Sequence, residues 1–124
     1  MKKTSKKHFE IFKAECLKWI DIFGLKGYEF HYEHKAVGDG NVAECHRNST
    51  SRTARLSLCK VWPERSMVPL NDDNIKTLAF EEVCHVFLYS LSSCAYARHI
   101  MDHEIGEAEH GIIKILQNIL YPKY

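Results

Sequence analysis

The chain lacks the features that would direct it to a membrane or to an oxidising compartment. Among its 124 residues, no apolar run approaches the roughly 20 residues that a membrane span needs. The basic residues at the start are not followed by the apolar segment of a signal peptide. The cysteines number five, an odd count at scattered spacings, which argues against a disulfide framework. No two of them form a C-x-x-C pair, which argues against a zinc ribbon or finger. We therefore expect an intracellular protein with reduced thiols and no membrane partner.

The chain also lacks a strong net charge, internal repeats and low-complexity tracts. Its formal net charge is +1, with 45% hydrophobic and 27% charged residues, which is ordinary for a globular protein. We therefore expect a single domain over residues 1–124. Four lysines lie near the start, namely Lys2, Lys3, Lys6 and Lys7. Because lysines at a helix N-terminus oppose the helix dipole, we expect residues 1–5 to fray, and we interpret the run as a solvated tail rather than a nucleic-acid site.

Apolar periodicity divides the chain into helical and strand segments. The helical segments are 5–24, 73–91 and 102–120, and the strand segments are 28–34, 42–47 and 53–61. Residues 92–97 break the helical pattern. The order α-β-β-β-α-α predicts an α+β domain with helices packed on a small antiparallel or mixed sheet. Short connections between consecutive strands favour an antiparallel meander.

Residues 79–88 contain the strongest candidates for catalytic or metal-binding residues. Glu81, Glu82 and His85 lie there in a predicted helix that is apolar on nearly every side. A helix of this kind belongs in a core, and a core does not tolerate unpaired charge. Glu81 and His85 are four residues apart and so lie one above the other, with Glu82 beside them. A metal ion is the most economical partner for two carboxylates and an imidazole in an apolar setting.

A zinc hydrolase needs three protein ligands, an open position for water and a carboxylate that takes a proton from that water. We predict Glu81 and His85 as metal ligands and Glu82 as the catalytic base. The third ligand has to come from another element that faces this helix. Glu109 is in line with the apolar side of the last helix, so we favour it over the neighbouring His110.

Simpler interpretations remain open beside the metal site. Glu81 could lie solvated at the rim of the helix, with His85 as a hydrogen-bonded core histidine. Cys84 is most simply a small core side chain, and a Cys84–His85 nucleophile is a further alternative. A separate metal group could form from two neighbouring strands, through Cys45, His46 and Cys59.

These segments resemble a family of small phage and prophage proteins, the zincin-like metallopeptidases. The family combines a Lys-rich first helix that carries a Trp-Ile or Trp-Leu pair, a short strand region, the motif A-x-H-E-x-x-H-x-x-L and a final helix of E-A-E-H type. The matching pieces here are residues 16–21 with Trp19-Ile20, residues 43–45, residues 79–88 with Glu81-Glu82-Val83-Cys84-His85, and residues 107–113 with Glu107-Ala108-Glu109-His110. The resemblance covers almost the whole chain. It implies a minimal zincin-like fold, with a metal between the second and third helices, in the cytoplasm of a bacterial host.

The chain departs from the family motif at Glu81, where the first histidine would stand. A carboxylate can still bind Zn²⁺, but the extra negative charge raises the pKa of the metal-bound water and favours a harder cation such as Mn²⁺. Loss of the metal is the other outcome. We therefore expect a metal-dependent peptidase of reduced or lost activity, with peptide substrate added along the sheet edge. The alternative is a non-catalytic protein-interaction module, such as an inhibitor of a host factor, on the same scaffold.

Overall fold

The computed structural model describes residues 2–38, 40–48, 50–64, 66–97 and 101–120, and these form four helices and two small sheets. The elements are β1 (Lys2–Lys3), α1 (Lys6–Phe23), β2 (Glu29–His34), β3 (Ala43–Asn48), β4 (Thr53–Leu58), β5 (Val61–Trp62), α2 (Asp72–Phe87), α3 (Tyr89–Tyr96) and α4 (Asp102–Leu120). The predicted α+β class is confirmed. In the part of the chain that is described, no helix combines the length and the apolar character needed to cross a bilayer.

Capping residues define both ends of α1 and the start of α2. The Ser5 side chain accepts a hydrogen bond from the His8 backbone N–H at the start of α1, and the His8 ring accepts one from the Ser5 N–H. Gly24 ends this helix with a φ of +66°, a conformation that glycine adopts without a steric penalty. Asn71 caps α2 by accepting a hydrogen bond of 2.8 Å from the Asn74 N–H.

The larger sheet has the strand order β2-β4-β3, with β2 parallel and β3 antiparallel to β4. The expected antiparallel meander is therefore wrong, because β2 pairs with β4 and not with its neighbour in sequence. The physical reason lies in β4, whose Ala54, Leu56 and Leu58 are all buried against the helices. The most apolar strand takes the central position, and the more polar β2 and β3 become the edges.

Residues 2–4 are hydrogen-bonded into the fold, contrary to the expectation that residues 1–5 fray; residue 1 lies outside the described residues. Lys2 and Lys3 pair with Trp62 and Val61 in the two-stranded sheet β1-β5. Thr4 is buried, and its hydroxyl donates a hydrogen bond to the Cys59 carbonyl. Pairing with β5 supplies hydrogen-bond partners for the backbone of β1, and the run of lysines in the sequence does not reveal this pairing.

One hydrophobic core lies between the sheet and the helices α1 and α2. Ten of its apolar side chains are almost completely inaccessible, namely Phe12, Cys16, Ala54, Leu56, Leu58, Cys59, Ile75, Ala79, Val83 and Val86. Aromatic rings extend the core toward the C-terminal ends of both helices, where Phe23 and Phe87 stack with their centroids 4.6 Å apart. The core fixes which face of α2 meets the sheet.

The predicted helix 73–91 is interrupted, and α2 is not buried on all sides. α2 ends at Phe87, Leu88 lies between the helices, and α3 continues through residues that were expected to break the pattern. Glu81 and His85 are exposed, because the sheet and α1 cover only one side of α2. The apolar residues that suggested a fully buried helix include Leu88, which is 43% exposed.

Replacing Thr4 by valine tests whether the N-terminal residues stabilise the fold. The Thr4→Val variant keeps the shape of the side chain but leaves the Cys59 carbonyl without its donor, so we expect the free energy of unfolding to fall by about 1–2 kcal/mol. Urea denaturation measures the change. Thr50→Val, at an exposed loop position, is the matched control and is expected to stay within about 0.5 kcal/mol of the wild type. Equal stabilities of Thr4→Val and wild type would show that the Thr4 hydrogen bond does not contribute to the stability of the fold.

Candidate functional site at the edge of the sheet

Glu82 is the carboxylate of α2 that the fold buries. Its side chain lies on the face of α2 that packs against β3 and is only 8% exposed. Cys45 and Arg47 of β3 and Cys16 of α1 are near enough to interact electrostatically with it. The predicted catalytic base therefore sits at the boundary between the core and the outer strand of the sheet.

The environment of Glu82 shifts the pKa of its carboxyl group toward neutral pH. Its pKa is raised to about 7, first by burial and then by the negative charges of Glu81 and Glu44, against the opposing effect of Arg47. A carboxyl group that titrates near neutrality can accept or release a proton under ordinary conditions. This is the chemistry that the sequence predicts for Glu82, and its role as a base stays a prediction.

The three predicted metal ligands do not come together in the structure. Glu81 and His85 lie on the exposed flank of α2, and Glu109 is exposed on α4, which packs against α3 and α1. In the described residues, no three His, Cys, Asp or Glu side chains are grouped so that they could hold a metal ion. The arrangement as it stands does not fit Zn²⁺ or Mn²⁺, which need at least three protein ligands around one point.

The cysteine alternatives find little support. Burial raises the pKa of the Cys84 thiol, and it raises that of Cys45 to about 12 and that of Cys59 to about 11. Thiols of this kind are protonated at neutral pH and are weak nucleophiles. His46, the remaining member of the second alternative, is exposed and lies 3.1 Å from the Glu44 carboxylate.

Arg47 joins the outer strand to the junction of α2 and α3. Its Nη1 donates a hydrogen bond of 2.8 Å to the His85 carbonyl, one of the last carbonyls of α2. Its guanidinium carbon lies 4.7 Å from the centre of the Tyr89 ring. Neither Arg47 nor Tyr89 was predicted from the sequence as a site residue. The sequence does contain one indication of Arg47, because strand alternation places it on the same inward face of β3 as Ala43 and Cys45, where a charged side chain needs a partner.

The outer edge of β3 presents unpaired backbone groups. The Cys59 N–H donates to the Val42 carbonyl, so the ladder bonds to β4 fall on the even-numbered residues of β3. The N–H and C=O groups of Ala43, Cys45 and Arg47 therefore point away from β4. No described strand pairs with this side of β3.

A groove runs beside this edge, on the side of the sheet where the helices lie. The cavity has a volume of about 440 Å³ and lies between the end of β3 and α3. Its α3 wall carries two tyrosines and two serines, namely Tyr89, Ser92, Ser93 and Tyr96. Tyr96 is 87% exposed, which is unusual for a large aromatic side chain.

The pH dependence of stability tests the environment of Glu82. The pKa in the folded state, about 7, lies above the unfolded value of roughly 4.3. As pH rises between these values, the unfolded chain loses its proton first, so folding loses stability, of the order of 1–3 kcal/mol once the pH exceeds 7. We expect Glu82→Gln to remove this loss in urea denaturation at pH 5 and pH 8. Glu10→Gln, at an exposed position on α1, should follow the wild type, and parallel profiles for wild type and Glu82→Gln would contradict the assignment.

Comparison with known proteins gave no match. No protein-family model matches the chain, and no curated protein or solved structure does. The resemblance to the zincin-like family therefore rests on the residues quoted for it, and the function has to be inferred from the geometry around β3.

Proposed function

We propose that this domain is a non-catalytic interaction module that binds an extended segment of a partner protein along the outer edge of β3. The observation that carries the proposal is the row of outward backbone groups at Ala43, Cys45 and Arg47. An extended peptide satisfies such groups by adding a strand to the sheet. Main-chain hydrogen bonds then supply affinity, and pockets for alternate side chains supply specificity.

The groove between β3 and α3 supports this mode of binding. Alternate side chains of an added strand point to the helix side of the sheet, where the cavity of about 440 Å³ opens. Tyr89 and Tyr96 provide aromatic surface of the kind that is enriched in protein interfaces. Ser92 and Ser93 donate their hydroxyl protons to the Tyr89 and Ser90 carbonyls, so their oxygens remain as acceptors for hydrogen bonds from a peptide.

The wall of the groove is held in place before a partner arrives. Arg47 is fixed by its hydrogen bond to the His85 carbonyl and by its contact with the Tyr89 ring. Because these groups are already ordered, less conformational entropy is lost when a peptide binds. We also propose that the partner is a protein of the bacterial host cytoplasm, a compartment in which five free thiols persist.

A proline in β3 tests the strand-addition mode. Ala43→Pro removes one outward N–H but no ladder bond to β4, so the fold should persist while binding of a selected peptide weakens roughly two- to tenfold. The peptide comes from a random library displayed on phage and selected against the immobilised protein. Isothermal titration calorimetry measures its affinity. Hydrogen exchange should show that the peptide protects the amides of Ala43, Cys45 and Arg47.

Arg55→Ala provides the control for this experiment. Arg55 lies in the central strand, on the face of the sheet opposite the helices, and its substitution should leave peptide affinity unchanged. Failure to select any peptide, or a peptide that protects none of the three outward amides, would refute the proposal. A dimer that pairs β3 of two copies in the absence of peptide would do the same.

A metal-dependent peptidase is the second candidate, and the raised pKa of Glu82 favours it. Glu82 lies beneath the edge on which an extended substrate would add, where a base could act on a peptide bond. Against this candidate stand the exposed positions of Glu81, His85 and Glu109 and their failure to form a group of three.

Elemental analysis by inductively coupled plasma mass spectrometry separates the two candidates. The binding proposal predicts less than about a tenth of an equivalent of Zn²⁺ or Mn²⁺ per chain, both as purified without a histidine tag and after reconstitution. Glu81→His would restore the family's ligand set and should raise metal content only if the pocket can close around a metal. Glu10→His, on the exposed surface of α1, controls for adventitious binding by a new histidine. About one metal ion per wild-type chain, together with cleavage of casein, would overturn the binding proposal in favour of the peptidase.

A further inference from the structure

A second cavity continues from the groove and lies between α3, α4 and the near end of the sheet. Its volume is about 560 Å³, and it shares Tyr89 and Ser93 with the groove beside β3. Tyr28 and Arg52 form its sheet side. A segment that leaves the edge of β3 beyond Arg47 can therefore reach this cavity without crossing the core.

The α4 side of the cavity is acidic. Glu104 and Glu107 line it and are three residues apart, so both project from the same face of the helix. Neither carboxylate forms a salt bridge with another described residue. An acidic residue in the first turn stabilises the helix dipole, which accounts for Glu104. Glu107 lies beyond the first turn of α4, so the helix dipole does not explain its position in the cavity.

The opposite side of the cavity is aromatic. The Tyr89 ring already carries one guanidinium, that of Arg47, at 4.7 Å from its centre. Burial raises the pKa of Tyr28, so its ring is a neutral surface at physiological pH. Tyrosine rings accept the apolar stem and the cationic end of lysine and arginine side chains. Arg52, on the sheet side, repels a second cation and so directs a positive charge toward α4.

We propose that this cavity binds a lysine or arginine side chain of the partner segment, with the stem against Tyr28 and Tyr89 and the charge between Glu104 and Glu107. The inference rests on the proposed function, because it assigns a residue class to the segment that β3 binds. Charge complementarity decides the occupant. An acidic side chain would be repelled by two carboxylates and attracted only by the single guanidinium of Arg52, and an apolar one would leave both carboxylates unused.

The test uses single side chains and so does not depend on strand addition. Nuclear magnetic resonance titration of the full chain compares Nα-acetyl-lysine-N-methylamide with the norleucine analogue, which has the same stem length without the charge. We expect saturable shifts for the lysine compound at the amides of Ser93, Cys94, Glu104 and Ala108. The norleucine compound should cause markedly weaker shifts. Equal responses to both compounds, or none to either, would overturn the inference.

A double variant identifies the carboxylates. Glu104→Gln with Glu107→Gln should weaken lysine binding by about threefold to tenfold, since each exposed charge pair contributes modestly. Asp102→Asn removes an exposed carboxylate from the same helix outside the cavity and should leave binding unchanged. An affinity for lysine that the double variant retains would also overturn the inference. Loss of peptide binding in Ala43→Pro with no effect of the double variant would leave the edge of β3 as the peptide site and refute only the pocket for a basic side chain.

Discussion

The packing of α2 against β3 is the contact on which the site depends. It buries Glu82 beneath the outer strand, and it leaves Glu81 and His85 on the exposed flank of the same helix. Arg47 completes the contact, because its hydrogen bond satisfies a carbonyl near the end of α2 where the chain turns into α3. β3 thus contributes to the burial that raises the pKa of Glu82, and its Arg47 fixes the position of the groove wall.

Much of the fold follows from periodicity, and the rest follows from pairings that periodicity does not encode. The helices α1 and α4 match the predicted segments 5–24 and 102–120, because their apolar residues recur at helical spacing and form one stripe. Strand order was not predictable in the same way. Alternation shows that β2 and β3 are strands, but only the burial of β4 on its apolar face decides which strand is central.

The candidate site was predictable in part. The sequence drew attention to Glu82, and the structure buries it, because three buried neighbours on α2, Leu78, Ala79 and Val86, surround its position on the helix face. The assumption of a helix buried all round failed, since apolar residues such as Phe80 pack at a boundary and stay partly exposed. Ligand geometry depends on how α4 lies relative to α2. That relation is set by contacts of α4 with α3 and α1, which no local pattern reveals.

The strand order also has a consequence for how the chain assembles. β3 and β4 are joined by residues 49–52, so their hairpin closes a short loop at small entropic cost, whereas β2 must be carried past β3 to reach the far side of β4. During synthesis the hairpin emerges from the ribosome ahead of α2, the helix that later covers one of its faces. The nascent protein therefore exposes the unpaired edge of β3 before α2 and α3 have been synthesised. Chaperones protect such an edge against aggregation during this interval.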